Sequence, residues 1–352
     1  MTQRFTYDIN PGRILFGTGT LDAVAGQIEQ LGAKRALILS TPFQRADAEK
    51  LARRIGPLAA GVFSEARMHT PVSVTLDAIA AFDALGADCL VALGGGSTIG
   101  LGKAIALRND APQIVVATTY AGSEVTPVVG QTENGVKTTV RDPKVLPEVV
   151  IYDPALTLEL PVAMSVTSGL NAIAHAMEGM YARDRNPVSS LMAVEGVRAL
   201  RDALPVIVKE PGDLAARSDA LYGSWLCGSV LGTVGMALHH KLCHTLGGSF
   251  DLPHADTHAI MLPHSAAYNA QAAAAELQPL ADLFGGSIGG GLYDFAQSLG
   301  APRALRDLGV DEAQLDRAAD LAVKNPYWNP RPVERDALRE LLQRAWQGTR
   351  PE

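Results

Sequence analysis

Aromatic side chains are scarce in this sequence: Phe, Trp and Tyr make up 5% of its 352 residues. A core without large rings must be built from Ala, Val, Leu and Ile packed close to the backbone, and an apolar content of 47% supplies them. Cysteine is scarcer still. Cys89, Cys227 and Cys243 are too few and too scattered for a disulfide framework or a cysteine-rich zinc site. No stretch reaches 18 uninterrupted apolar residues, and the opening MTQRFTYDIN carries no apolar signal segment. These features predict a cytoplasmic protein with no membrane partner. Positive charge is also in deficit: the formal net charge is −7, which argues against a broad grip on nucleic acid. An anionic ligand is therefore expected to be held by a few local cations or by backbone N–H groups.

What the chain does have is glycine, 34 residues of it, together with 21 prolines and enough apolar residues to exclude disorder. At roughly 100–200 residues per domain, the length predicts two domains. The first half alternates strand-like and helix-like segments. Strand-like runs at RALILS (35–40), CLVAL (89–93) and IVVA (114–117) are separated by helical spacing up to Arg54, over Val74–Leu85 and up to Leu107. That order predicts a parallel sheet with helices on both faces. After VVIYDP (149–154) strand-like runs nearly vanish and Ala/Leu-rich helical patterns take over. The boundary is placed at about residue 155, with an α/β unit over 1–155 and an all-helical unit over 156–352. The cluster GGSIGGG (285–291) reads as a surface loop.

Two regions carry chemistry. CLVAL runs into Gly94, Gly95, Gly96 and Ser97 and then a helical pattern, which brings bare backbone and a helix N-terminus to one point, a device for holding pyrophosphate. TTYAGSE adds the hydroxyls of Thr118, Thr119 and Ser123 at the end of a second strand, where open α/β sheets bind ligands. The second region is a histidine cluster. Six of the eight histidines fall between 239 and 264: His239, His240, His244, His254, His258 and His264. His240 and His244 share a helical face that Gly247-Gly248 is expected to end. His254 follows Pro253 at an expected helix start, and Asn171 and His175 repeat the i, i+4 spacing upstream. Such pairs converge on a metal or on a reacting group. In KNPYWNPRPVE, Tyr327 stands in a rigid turn from which its phenol is expected to reach the interdomain cleft.

The segments GGGSTIGLGKA, TTYAGSEVTP, SGLNAIAHAMEG and HHKLCHTLGGSFDLPH, in this order, resemble the iron-containing (group III) alcohol dehydrogenase family. That family shares its fold with dehydroquinate synthase, and the resemblance runs from about Arg13 to Trp346. It implies a Rossmann-like dinucleotide domain, an all-α catalytic domain, an active site in the cleft between them, and often a homodimer. The metal-using members bind their ion through one aspartate and three histidines. By motif the histidines fall on His175, His240 and His254, and His244 matches a non-ligand histidine near the nicotinamide. The aspartate position is Asn171.

That departure removes the charge on which hard divalent cations depend. It is the residue expected of the branch that reduces maleylacetate, a small dicarboxylate, to 3-oxoadipate in bacterial aromatic degradation, with NADH or NADPH and without a required metal. Alcohol oxidation needs a Lewis acid to hold an alkoxide, whereas enone reduction needs donors for an enolate and one proton. His244 is the expected proton donor; His175, His240 and His254 are expected to line the substrate pocket, with Tyr327 nearby. Gly94–Ser97 are expected at the pyrophosphate, and Thr118, Thr119 and Ser123 at the rest of the cofactor. Ser40 and Thr41 replace the acidic residue that many relatives place at the adenosine ribose, so a 2′-phosphate should be tolerated. Lys137 matches a family lysine near the cofactor. The rival readings are a metal-dependent alcohol or lactaldehyde dehydrogenase, with Asn171 as a weak ligand, and a dehydroquinate-synthase-like lyase.

Overall fold

The computed structural model describes residues 5–7, 10, 12–133 and 136–352, without the side chains of Val136 and Lys137. The chain divides into two compact units, Ile9–Leu160 and Pro161–Glu352, the second also taking in residues 5–7.

Among its described residues the first unit holds eight strands: β1 (Arg13–Phe16), β2 (Ala36–Leu39), β3 (Ala59–Phe63), β4 (Cys89–Gly94), β5 (Gln113–Ala117), β6 (Val128–Glu133), β7 (Val136–Arg141) and β8 (Val149–Tyr152). Six form one parallel sheet in the order β1-β8-β5-β4-β2-β3. Four α-helices accompany them: α1 (Val24–Gln30), α2 (Arg45–Ile55), α3 (Val72–Ala84) and α4 (Gly96–Asn109). Strand periodicity sorts the apolar side chains onto two faces. Ile38, Val91, Ile114 and Ile151 pack with Val24, Ile28 and Leu51 of α1 and α2. Leu37, Leu39 and Leu90 pack with Ala78, Phe82, Leu101 and Ile105 of α3 and α4. Both faces are covered, which is why the central strands read as unbroken apolar runs. The antiparallel pair β6–β7 was not legible in the sequence, because GQTENGVKTTV lacks an apolar run.

The second unit is helical: α5 (Val162–Tyr181), α6 (Pro187–Lys209), α7 (Leu214–Thr233), α8 (Leu238–Phe250), α9 (His254–Asn269), α10 (Ala274–Leu283), α11 (Ile288–Ser298), α12 (Leu315–Ala322) and α13 (Arg335–Gln347). Its centre is α5, buried at every position from Ser165 to Tyr181. A methyl group on Gly179 would lie 2.2 Å from Val230 Cγ1, so α5 and α7 approach at a point where only glycine fits. Among the described residues, no single helix is long and apolar enough to cross a membrane.

Two expectations fail here. GGSIGGG is a surface loop only over Gly285, Gly286 and Ser287: Ile288–Gly291 form the first turn of α11, capped by the Ser287 side chain, which accepts from the Gly290 N–H. Gly289 is there for contact with α9, since a Cβ would meet Ala267 Cβ at 2.5 Å. Gly247-Gly248 likewise does not end α8, which runs on to Phe250 and stops at Asp251 in the left-handed region, φ 54°. The apolar side of α8 (Leu242, Cys243, Leu246) is buried against residues of α9, α12 and α13, and this packing outweighs about 1 kcal/mol of unfavourable propensity per glycine.

Candidate active site

In the first unit the chain direction across the sheet reverses between β2 and β4. From β2 the chain leaves for β3 at one edge; from β4 it leaves toward β5 and β8. The helices that follow, α2 and α4, lie on opposite faces. A crevice therefore opens at the carboxyl ends of β2 and β4, where α/β sheets bind ligands. Gly94, at φ 155°, ends β4, and Gly95 caps α4. A Cβ on Gly95 would strike Thr119 at 2.6 Å, while one on Gly96 would meet nothing within 4 Å. The cradle is thus closed behind Gly95 and open at Gly96, with the N–H groups of the first helical turn beside it. These features fit a dinucleotide pyrophosphate.

Gln44 was not singled out from the sequence, yet it links three strand ends. Its Nε2 donates to Thr118 Oγ1 at 3.1 Å, its Oε1 lies 3.5 Å from Thr41 Oγ1, and a Cβ on Gly94 would meet that same Oε1 at 2.9 Å. Ser40 and Thr41 separate. Ser40 is fully buried and its hydroxyl donates to Ser64 Oγ at 2.9 Å, so it stays inside the sheet edge; Thr41 is only half-buried. Ser123 contributes its carbonyl to Lys103. The side chain of Lys137 lies outside the described residues; its backbone pairs with Thr132.

Lys103, within GGGSTIGLGKA, holds the Thr118–Val128 turn. Its buried Nζ, with three N–H groups, lies among four acceptors: the carbonyls of Ser123 (2.5 Å), Thr126 (2.6 Å) and Val128 (3.0 Å) and Thr126 Oγ1 (2.9 Å). Burial lowers its pKa to about 7, opposed by the nearby Glu124 carboxyl.

In the second unit, α5, α8 and α9 bring six histidines together. His175 Nδ1 and His240 Nε2 lie 2.9 Å apart with their rings stacked, and His240 also packs edge-on against His244, His239 and His258. The His254 ring lies 4.3 Å from that of His258, and His254 is the first residue of α9, after Pro253. His244 Nδ1 is 3.3 Å from the Tyr327 hydroxyl, so the Pro-rich turn delivers its phenol to this cluster. Burial, and then the charge of Glu178, keep that phenol's pKa raised. The expected six-histidine run is split, however. His264 is ten residues beyond His254, beside Arg344 of α13, where burial and that guanidinium lower its pKa to about 4.

His239 and His258 were counted in the cluster but given no role, and Glu178 was not singled out. His239 and His258 are fully buried; His239 Nε2 lies 2.9 Å from His258 Nδ1 and His239 Nδ1 lies 2.8 Å from Ser265 Oγ. Burial and the surrounding imidazoles push both pKa values well down, so both rings are neutral. Glu178 completes the cluster. It is fully buried on α5, and its Oε2 accepts from Ala237 N–H (2.8 Å) and faces His240 Nδ1 (2.6 Å), while Oε1 accepts from His239 N–H (2.6 Å). The signal was in SGLNAIAHAMEG: Glu178 follows His175 by three and Asn171 by seven, on one helical face.

This donor set does not match the carboxylate-plus-three-histidine arrangement for a hard ion. Asn171 brings no charge where that arrangement has its carboxylate. The carboxylate that meets these rings, Glu178, is engaged by α8.

Comparison with known proteins is consistent along the whole chain. The iron-containing alcohol dehydrogenase model matches residues 11–154, and that of the C-terminal part of the same family matches residues 165–346. A maleylacetate reductase of Rhizobium sp. (strain MTP-10005) is 66% identical over 99% of this chain and 100% of its own. The crystal structure of maleylacetate reductase from Agrobacterium tumefaciens superimposes with a TM-score of 0.96 at 65% identity, over 99% of this chain and 100% of that one. An iron-containing alcohol dehydrogenase from Corynebacterium glutamicum gives a TM-score of 0.94 at 41% identity, over 100% and 99% of the two chains. The parallel-sheet unit and the helical unit are those of one known fold, and the chain belongs to the iron-containing alcohol dehydrogenase family.

Proposed function

We propose that this oxidoreductase reduces the C=C bond of maleylacetate to give 3-oxoadipate, in bacterial degradation of aromatic rings, with NADH or NADPH as hydride donor. The full-length similarity to maleylacetate reductases carries this reading. Asn171 in the place of a ligating carboxylate supports it. Three buried free cysteines accord with a reducing, cytoplasmic setting.

The Gly95–Ser97 turn and the N-terminus of α4 would hold the pyrophosphate, with Thr118, Thr119 and Thr41 at the rest of the crevice. When bound, the nicotinamide supplies a hydride to the alkene carbon β to the ketone. The chain's own residues then have two tasks. An imidazolium N–H from the His175–His240 pair, presented on His175, and one from His254 bind the substrate carboxylates and stabilise the negative charge that moves onto the ketone oxygen. His244 returns a proton to the α carbon, which balances the reaction as one hydride and one proton added across C=C. Donation from the Tyr327 hydroxyl to His244 Nδ1 places the transferable proton on Nε2.

Anaerobic incubation with maleylacetate and NADH or NADPH, followed at 340 nm, tests the reaction: no oxidation of either cofactor refutes it. Turnover is expected to be unchanged by EDTA. Loss on chelation with recovery on adding Fe²⁺ or Zn²⁺ would instead support the metal-dependent alcohol dehydrogenase reading. A second substitution tests the cofactor crevice. Thr41→Asp places a carboxylate beside the expected 2′-phosphate and should weaken NADPH by about 1–3 kcal/mol, roughly 5–150-fold, while sparing NADH. Equal loss with both cofactors, measured as dissociation constants by fluorescence, would remove Thr41 from the ribose.

A further inference from the structure

We propose that Glu178 is a positioning residue that fixes the tautomer of His240 and thereby aims its free ring nitrogen at His175. The inference rests on the reading above only in giving that histidine pair a substrate to hold.

Glu178 has no route to solvent and two oxygens surrounded by donors. Oε1 accepts from the His239 N–H at 2.6 Å; Oε2 accepts from the Ala237 N–H at 2.8 Å and lies 2.6 Å from His240 Nδ1. Tyr181, one turn further on α5, also hydrogen-bonds this carboxyl group. A carboxylate is an acceptor only, so the proton on the short His240 contact sits on Nδ1. Nε2 of a neutral His240 is then left with its lone pair, 2.9 Å from His175 Nδ1, and accepts from it. That chain of inference also defines the outer nitrogen: His175 Nε2 carries no proton when both rings are neutral. Three groups on two helices are thus set by one buried side chain.

The two backbone contacts show why the device is precise. Ala237 and His239 bracket the start of α8, so the carboxylate that orients His240 also terminates the helix carrying it. Helix position and ring tautomer cannot drift apart. Glutamine cannot reproduce this, because it offers one acceptor and one NH₂. If its oxygen replaces Oε2, its NH₂ faces the His239 N–H. If it replaces Oε1, its NH₂ faces Ala237 N–H and His240 Nδ1, and the ring must move its proton to Nε2.

The test begins with the wild-type enzyme, free of substrate. ¹⁵N-histidine NMR, with the His240 signals assigned by their loss in His240→Gln, should show Nδ1 protonated and Nε2 not. Protonation on Nε2 overturns the proposal whether or not any variant folds. In Glu178→Gln, the His240 signals should shift toward the Nε2–H form. With maleylacetate, KM should rise by about 10–100-fold, with a much smaller change in kcat. A Glu178→Gln enzyme that melts at lower temperature but keeps both the wild-type tautomer and KM would make Glu178 a helix cap alone and would also overturn it. If the tautomers behave as expected but neither enzyme oxidises NAD(P)H with maleylacetate, the positioning role stands and the substrate assignment fails.

Discussion

His244→Ala is expected to lower kcat by about 10²–10⁴-fold while changing KM little, the loss typical of a missing general acid. The geometry sets His244 apart from its neighbours. His175 and His240 share a hydrogen bond, and His240 is anchored by Glu178, whereas His244 stands one helical turn further along α8 with Tyr327 at 3.3 Å. Its Nδ1 faces a phenol and not a carboxylate, a setting that suits a ring passing on a proton. His240→Ala removes the ring that holds His175 toward the substrate and should appear mainly in KM. The pH dependence of kcat separates the two: the histidine limb of the profile should vanish in His244→Ala and persist in His240→Ala. If His240→Ala loses kcat and that limb while His244→Ala does not, the roles are exchanged.

Lys103→Met should destabilise the first unit by on the order of 3 kcal/mol and weaken cofactor binding with it. The methionine fills the space but takes the Lys103 donor from the Thr126 and Val128 carbonyls, about 1–3 kcal/mol for each if nothing replaces it, while the Ser123 carbonyl keeps the Thr126 N–H and hydroxyl. Because these carbonyls belong to the turn after β5, the loss should reach the crevice through Thr118 and Thr119. Thermal melting and NADH titration of the same variant provide the check; a melting temperature within 1–2 °C of wild type, about 0.5 kcal/mol or less, would refute it. The pH dependence has a definite sign. Lys103 titrates near 7 in the folded chain against 10.5 for an unperturbed lysine, so the unfolded chain binds more protons across that window. Wild type should therefore gain stability relative to Lys103→Met as pH rises from about 7 to 10.5, and lose that increment as it falls back.

The sequence by itself determined the layered α/β unit, the helical unit and the identity of most side chains at the candidate site. The reason is physical. Strands buried on both faces must be apolar throughout, as CLVAL and IVVA are, and a strand that runs into Gly94-Gly95-Gly96 has few other structures open to it. The i, i+4 spacings of Asn171 with His175 and of His240 with His244 likewise fix a shared helical face before any packing is known.

What only the tertiary structure decided depends on groups far apart in the chain. Helical spacing cannot say that Glu178 meets His240 sixty-two residues away, or that its two oxygens also receive backbone N–H groups at the start of α8. It cannot divide six nearby histidines into a cluster and an outsider, because His264 leaves the group only through the way α9 faces α13. Nor can it separate Ser40 from Thr41, adjacent hydroxyls of which one is sealed against Ser64 and the other stays half-buried at the crevice. Local pattern sets which face a residue occupies; partners, tautomers and burial are set by what the rest of the chain places opposite that face.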